Sequence, residues 1–230
     1  MTVAAVILAA TPASALADAD GTPAARRLAD VAWSGGATPV VVCSFDPDGA
    51  VGRTLANASV TLVDPVDVGR GPVGQITNGI AAAMQLVADT DAALVWPARL
   101  AWVDAETVTM LIAAHGEDRT TVLRPTYGGE AGWPILLPVA HLEALGALAT
   151  DRMPDELFDD LAAAGVPRRE LESGDPGVAY PVTTARSDLP PYDGPPKPAD
   201  AHAHEWGAAA ADEPDDAPLE GPGRLTHAPG

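Results

Sequence analysis

The chain has 230 residues, 47% of them apolar, and a formal charge of −19. That length and apolar content suit one globular domain with a sizeable core. The charge argues against a surface that grips nucleic acid or anionic lipid, since both bind through clustered Lys and Arg, and no apolar run reaches the roughly 18 residues that cross a bilayer.

The opening stretch, MTVAAVILAATPASALADADG, admits three readings: a secretory signal, a nucleotide-binding strand and loop, or such a loop that has lost its chemistry. A secretory signal needs a positively charged start, and no Lys or Arg occurs before Arg26. A cytoplasmic location is therefore expected. The only cysteine, Cys43, excludes an intrachain disulfide and reads as a buried strand residue.

In chain order, VAAVIL, PVVVC, VTLVD and AALVW are short apolar runs without strict alternation, the pattern of strands buried on both faces of a parallel sheet. Helices fall between them. Thr22 and Pro23 read as N-cap and first helical residue of AARRLADVAWS, with Gly35-Gly36 as its stop. QITNGIAAAMQLVAD is a second helix, and AETVTMLIAAHG, capped by Asp104 and closed by Gly116, is a third. The alternation predicts an open, doubly wound, mostly parallel α/β sheet. Beyond it, TTVLRPTYGGEAGWPILLP reads as a small inserted hairpin about a Gly-Gly turn. Pro138 then starts a helix through VAHLEALGAL, MPDELFDDLAAAG is another, and a last strand near GVAYPV closes a domain spanning residues 1–187. From Asp188 to residue 230 there are nine prolines, nine acidic and two basic residues, the composition of a disordered acidic tail.

The succession of segments resembles the MobA-like nucleotidyltransferases, which transfer a nucleoside monophosphate from an NTP to a phosphorylated acceptor such as the molybdenum cofactor. VILAAT stands where that family has Leu-Ala-Ala-Gly and a basic loop, and GRGPVGQITNGIAAA stands at its Gly-x-x-Ser-Ser-Leu helix. LVWPARLAWVDAETVTMLIAAH is similar to its Leu-Pro-x-Asp segment, GGEAGWPILLPVAHLEAL to its Gly-x-Pro-Val-Leu-Phe hairpin, and GVAYPVTTARSDL to its closing Asp-x-Asp-Thr-Pro. The resemblance implies a Rossmann-like nucleotidyltransferase sheet. It also implies a nucleotide pocket at Leu8, Ala9, Ala10, Thr11, Gly74, Gln75 and Arg99.

The charged positions of the resemblance are altered. Thr11 replaces the glycine that lets backbone N–H groups approach phosphate, and the loop from Pro12 to Asp20 holds two aspartates and no basic residue. Arg99 stands in place of the metal-binding aspartate, Pro181 and Thr183 in place of the two closing ones, and the sole lysine is Lys197. Magnesium takes hard oxygen ligands that these residues do not supply. The expectation is a pseudoenzyme that binds a nucleotide, a phosphorylated small molecule or a protein partner, with no metal site and no cofactor. Mg²⁺ enters only if the chain is instead a divergent active transferase, with Asp18, Asp20 and Asp104 as its candidate carboxylates.

Further residues have two readings each. Arg99 either holds a phosphate in place of metal or forms an ordinary salt bridge. Arg26 and Arg27, one turn into their helix, either attract an anion or lie on the surface. Trp96, Trp102 and Trp133 either fill the altered pocket or pack the core, while His115 and His141 read as structural. In the tail, His202 and His204 offer adventitious metal affinity, and Trp206 is a candidate anchor for a protein partner, the tail then serving as a scaffold.

Overall fold

The structure, a computed structural model, describes residues 1–9 and 11–196. The expectations placed on Ala10, Lys197, His202, His204 and Trp206 lie outside the described residues. β1 (Thr2–Leu8) is followed by a four-residue helix α1 (Pro12–Ala15), an antiparallel pair β2 (Asp18–Ala19) and β3 (Thr22–Pro23), and α2 (Ala24–Ser34). The alternation continues through β4 (Val40–Cys43), α3 (Ala50–Leu55), β5 (Val60–Val63), α4 (Gly71–Leu86), β6 (Thr90–Pro97) and α5 (Ala105–Glu117). Then come β7 (Val122–Tyr127), β8 (Glu130–Ala131), β9 (Ile135–Pro138), α6 (Leu142–Gly146), α7 (Pro154–Ala163) and β10 (Arg168–Glu172).

Eight of the strands form one sheet in the order β10-β7-β9-β6-β1-β4-β5, with β8 paired to β7, and β2 and β3 form a separate pair. β1, β4, β5 and β6 are parallel neighbours, β9 runs antiparallel between β6 and β7, and β10 is parallel to β7. Successive strand residues point to opposite faces. Ala5, Ile7, Val42, Leu94 and Trp96 share one core with Leu28 of α2 and Leu111 of α5. Val6, Val41, Cys43 and Val95 share the other with Ile76 and Ile80 of α4 and Leu157 and Phe158 of α7. Coverage on both faces is why these runs show no polar alternation. Burial at this position pushes the Cys43 thiol up to about 12.

Several local expectations change. Thr22 does not cap α2. Asp20 and Gly21 carry φ of 59° and 79°, the signature of a tight two-residue hairpin, so Thr22 and Pro23 pair with Ala19 and Asp18 instead. α4 begins four residues earlier than the QITNGIAAAMQLVAD run, at Gly71-Pro72, because Pro suits a first helical turn. The segment after Pro138 opens as a 3-10 turn over Val139–His141 before the short α6. Helix α3 carries too few apolar residues to declare itself. The last strand is Arg168–Glu172 rather than GVAYPV, whose start is part of a 3-10 turn over Pro176–Val178. A charged edge strand shows no apolar run, and charge on an edge discourages pairing with other chains.

The compact unit runs from Met1 to Pro196 and so includes residues 188–196, which composition assigned to the tail. The Tyr192 hydroxyl donates to Glu106 at 2.6 Å, and Asp193 N donates to the Gly174 carbonyl at 3.0 Å. Among the described residues no helix is long and apolar enough to cross a membrane.

His115 is structural, as expected, but it carries a cost. It is fully buried near the end of α5, neither ring nitrogen has a hydrogen-bond partner among the described residues, and Asp91 Oδ2 stands 3.6 Å away. Burial lowers its pKa first; Asp91 and Asp118 pull it up, and Arg119 adds to the lowering. The unfolded chain therefore takes up this proton at higher pH than the folded one, and stability falls as pH drops below about 6.5. His115→Leu should flatten that decline in urea titrations between about pH 6.5 and 5. An unchanged slope would count against the assignment.

Candidate functional site

β1 has β4 on one side and β6 on the other, so the chain connections diverge at its carboxyl end, where open α/β sheets hold ligands. Ala9 N donates to the Cys43 carbonyl at 3.0 Å and Ala98 N to the Leu8 carbonyl at 2.9 Å, which locks three strand ends around one crevice. At this end of the sheet Leu8 is half-buried, Ala9 buried and Thr11 exposed.

The loop beyond them satisfies itself. Thr11 Oγ1 accepts from Ser14 N at 3.1 Å, and Ser14 Oγ accepts from Thr11 N at 3.1 Å, a reciprocal cap on α1. Ala15 N and Leu16 N donate to the Thr11 and Pro12 carbonyls at 3.2 and 2.9 Å, and Pro12 has no N–H. Amides that a phosphate loop would turn toward its ligand are committed within this turn.

The positions that the resemblance assigns to metal ligands do meet. Val182 N donates to the Arg99 carbonyl at 2.6 Å, which sets Pro181 and Thr183 on either side of that contact. Trp102 Nε1 donates to the carbonyls of Pro181 and Thr184 at 3.2 and 3.1 Å and fixes the same segment. The residues whose backbones meet there carry a guanidinium, a pyrrolidine ring and a hydroxyl. They do not fit a divalent cation, which takes carboxylate oxygens. Among the described residues no three His, Cys, Asp or Glu side chains converge on a point that could hold a metal ion.

The three alternative carboxylates have local partners. Asp18 Oδ1 accepts from Gly21 N at 3.0 Å inside its own hairpin, Asp20 pairs with Arg186 at 3.5 Å, and Asp104 caps α5 by accepting from Glu106 N at 3.1 Å. Asp20 and Asp104 both act on Arg27, whose Nε donates to the Ala101 carbonyl at 2.8 Å and whose guanidinium lies 5.5 Å from the centre of the Trp102 ring. Burial and then Arg186 lower the Arg27 pKa, while Asp104, Asp20 and Asp175 raise it. Arg26 takes the surface role, paired with Asp30 at 2.9 Å one helical turn away.

Gln75 does not face the crevice with a free amide. It accepts from Val66 N at 3.2 Å and donates to the Val66 carbonyl at 2.9 Å, pinning the loop before α4. Gly74 lets Arg70 lie close, since a Cβ there would stand 2.4 Å from the Arg70 Cβ. Trp96 is a core residue whose Nε1 donates to the Leu100 carbonyl at 3.0 Å.

Three residues that sequence reasoning missed organise the site. Asp175 is 2% exposed and accepts from Asp104 N at 2.8 Å, Thr107 Oγ1 at 2.7 Å and Gly177 N at 2.8 Å. Burial raises its pKa, and these three bonds oppose the rise. Its signal, Asp-Pro-Gly at the head of a 3-10 turn, was legible. Asp155, in the first turn of α7, pairs with Arg99 at 3.4 Å and Arg124 at 3.7 Å, and accepts from Trp133 Nε1 at 2.7 Å. Arg124 had a signal too, as the one charge inside an apolar strand.

This arrangement, a doubly wound sheet whose crevice opens at the ends of β1 and β6 beside an antiparallel strand, defines an α/β domain of the nucleotidyltransferase type. The sequence matches the model of the MobA-like NTP transferase domain over residues 5–165, and the chain belongs to that family. No curated protein matches it. Among solved structures, a nucleotidyl transferase from Methanothermobacter thermautotrophicus superposes with a TM-score of 0.62 at 17% identity, covering 81% of this chain and 94% of its own. The manganese complex of the Rv0371C protein of Mycobacterium tuberculosis H37Rv gives 0.60 at 17%, covering 75% and 88%. A 4-diphosphocytidyl-2C-methyl-D-erythritol synthase gives 0.60 at 19%, covering 81% and 94%. At these identities the likeness is one of fold.

Proposed function

We propose that this chain is a non-catalytic member of its family, a cytoplasmic module that binds a nucleotide or a phosphorylated small molecule without metal and without turnover. The observation that carries the reading is the meeting of Arg99 with Pro181 and Thr183 at the crevice, in place of carboxylates. Phosphoryl transfer needs a cation, or basic groups, aimed at the charge that develops in the transition state. Here the loop after β1 offers self-satisfied amides and two aspartates, and the charge of a guanidinium opposes a divalent ion. An arginine keeps the capacity to hold phosphate while removing metal chemistry. The acidic segment from 197 onward, with Trp206, would serve a protein partner.

The competing reading is a divergent transferase that recruits metal through Asp18, Asp20 or Asp104. Its support is the nearness of Asp20 and Asp104 to the same arginine, Arg27. Calorimetric titration with nucleoside triphosphates, with and without Mg²⁺, separates the two, because only the transferase needs the ion.

A further inference from the structure

In a chain of net charge −19, two guanidiniums converge on one carboxylate at the crevice. Arg99 follows β6, Arg124 lies within β7, and Asp155 sits on α7, so three separate elements deliver them. Neither contact is a tight one. Charge-assisted N–H···O bonds run to about 2.7–2.9 Å, whereas these separations are 3.4 and 3.7 Å. Asp155 is the only carboxylate that either arginine pairs with among the described residues, so the group carries a surplus of one positive charge.

Arg124 sharpens the point. It is 7% exposed, and its one hydrogen bond among the described residues is from Nε to the Gly132 carbonyl at 3.2 Å. A guanidinium has five donors in a fixed fork, and among the described residues only Nε has a hydrogen-bond acceptor here, which leaves the Nη groups open to an anion. Trp133 Nε1 adds a neutral donor to the same carboxylate oxygen that Arg124 faces. Two guanidinium forks, with donors beyond those that Asp155 and the Gly132 carbonyl engage, and an indole N–H form a receptor for an oxyanion with more oxygens and more charge than one aspartate supplies.

We propose that Arg99, Arg124 and Trp133 Nε1 form a phosphate receptor, and that Asp155 occupies it as an internal competitor which the ligand's phosphate displaces. The inference rests on the binding-module reading for the phosphate character of the ligand, and on side-chain geometry for the receptor itself. α7 then reports occupancy, because Asp155 is in its first turn and leaves the receptor when phosphate enters. A ligand therefore acts on α7 without touching its apolar face.

The test is calorimetry of the full chain with inorganic phosphate at constant ionic strength. Asp155→Asn removes the competing charge and keeps an oxygen for Trp133. It should bind phosphate about tenfold more tightly than the wild type, the gain expected when a receptor blocked nine-tenths of the time is freed. Adding Arg124→Met to that variant should abolish the gain. Should Asp155→Asn fail to fold, Arg99→Met, at a side chain 52% exposed, keeps the test alive. Phosphate should then raise the thermal midpoint of the wild type and leave that of Arg99→Met unmoved. Titration with a nucleoside monophosphate assigns the source: tighter binding than inorganic phosphate supports a nucleotide phosphate, and equal binding supports a phosphate on another carrier. Affinity unchanged in Asp155→Asn, a gain that survives Arg124→Met, or a shift that persists in Arg99→Met would overturn the receptor. Metal-dependent turnover by the wild type would sink the binding-module reading alone, so the two fail by different results.

Discussion

Asp175→Ala should lower the thermal midpoint by roughly 10 °C, corresponding to about 3–5 kcal/mol in a domain of this size. The side chain accepts from Asp104 N, Thr107 Oγ1 and Gly177 N, and alanine strands all three donors in a buried site. The site is closely packed, since an added Cβ at Gly177 would stand 2.3 Å from the Trp102 carbonyl carbon. Because burial raises the Asp175 pKa, its contribution is greatest below the unfolded value of about 3.8 and diminishes as pH rises through the folded one. The deficit of the variant should therefore be larger in mild acid than at neutrality. A loss under 1 kcal/mol at pH 7 in urea unfolding would show that Asp175 does not organise the segment that ends beside Arg99.

Gly79→Val should be comparably severe for the opposite reason. α4 lies so close to the sheet that a Cβ at residue 79 would stand 2.3 Å from Val6 Cγ1 and 2.9 Å from Cys43 Sγ. Neither neighbour can yield, because both belong to strands in the middle of the sheet. Overpacking of this kind costs about 3 kcal/mol, a fall of roughly 6–12 °C. Gly146→Ala in α6 is the control: nothing lies within 4 Å of its added Cβ, so helix propensity should leave it neutral or stabilise it by up to about 1 kcal/mol. Equal behaviour of the two variants would contradict the close packing of α4 on β1.

The sheet was legible because its central strands are buried on both faces. Val40, Val41, Val42 and Cys43 have no solvent side, so the run itself marks the strand. Asp104 as the cap of α5 was legible for a local reason, since a side-chain oxygen before an apolar helix satisfies an orphan amide. Arg168–Glu172 was not, because an edge strand needs no apolar run. The Asp20-Gly21 hairpin carries its signal in only two residues, too few to stand out from the loop that precedes α2. Arg99 could be placed in sequence only by analogy, and its meeting with Pro181 and Thr183 depends on a backbone bond across 83 residues. Asp155 lies 56 residues from Arg99 and 22 from Trp133, and no periodicity links such separations. Convergence of that kind is produced by the fold and is invisible to local pattern.

The central claim, phosphate binding without metal, is tested most directly by titrating the full chain with nucleoside triphosphates in a calorimeter, once with millimolar Mg²⁺ and once with a chelator. With Arg99, Pro181 and Thr183 where carboxylates would be needed, the affinity and heat should be the same in both, apart from the change expected when Mg²⁺ binds the free triphosphate. Binding that appears only with Mg²⁺, accompanied by pyrophosphate release that Asp104→Asn abolishes, would contradict it and establish a transferase.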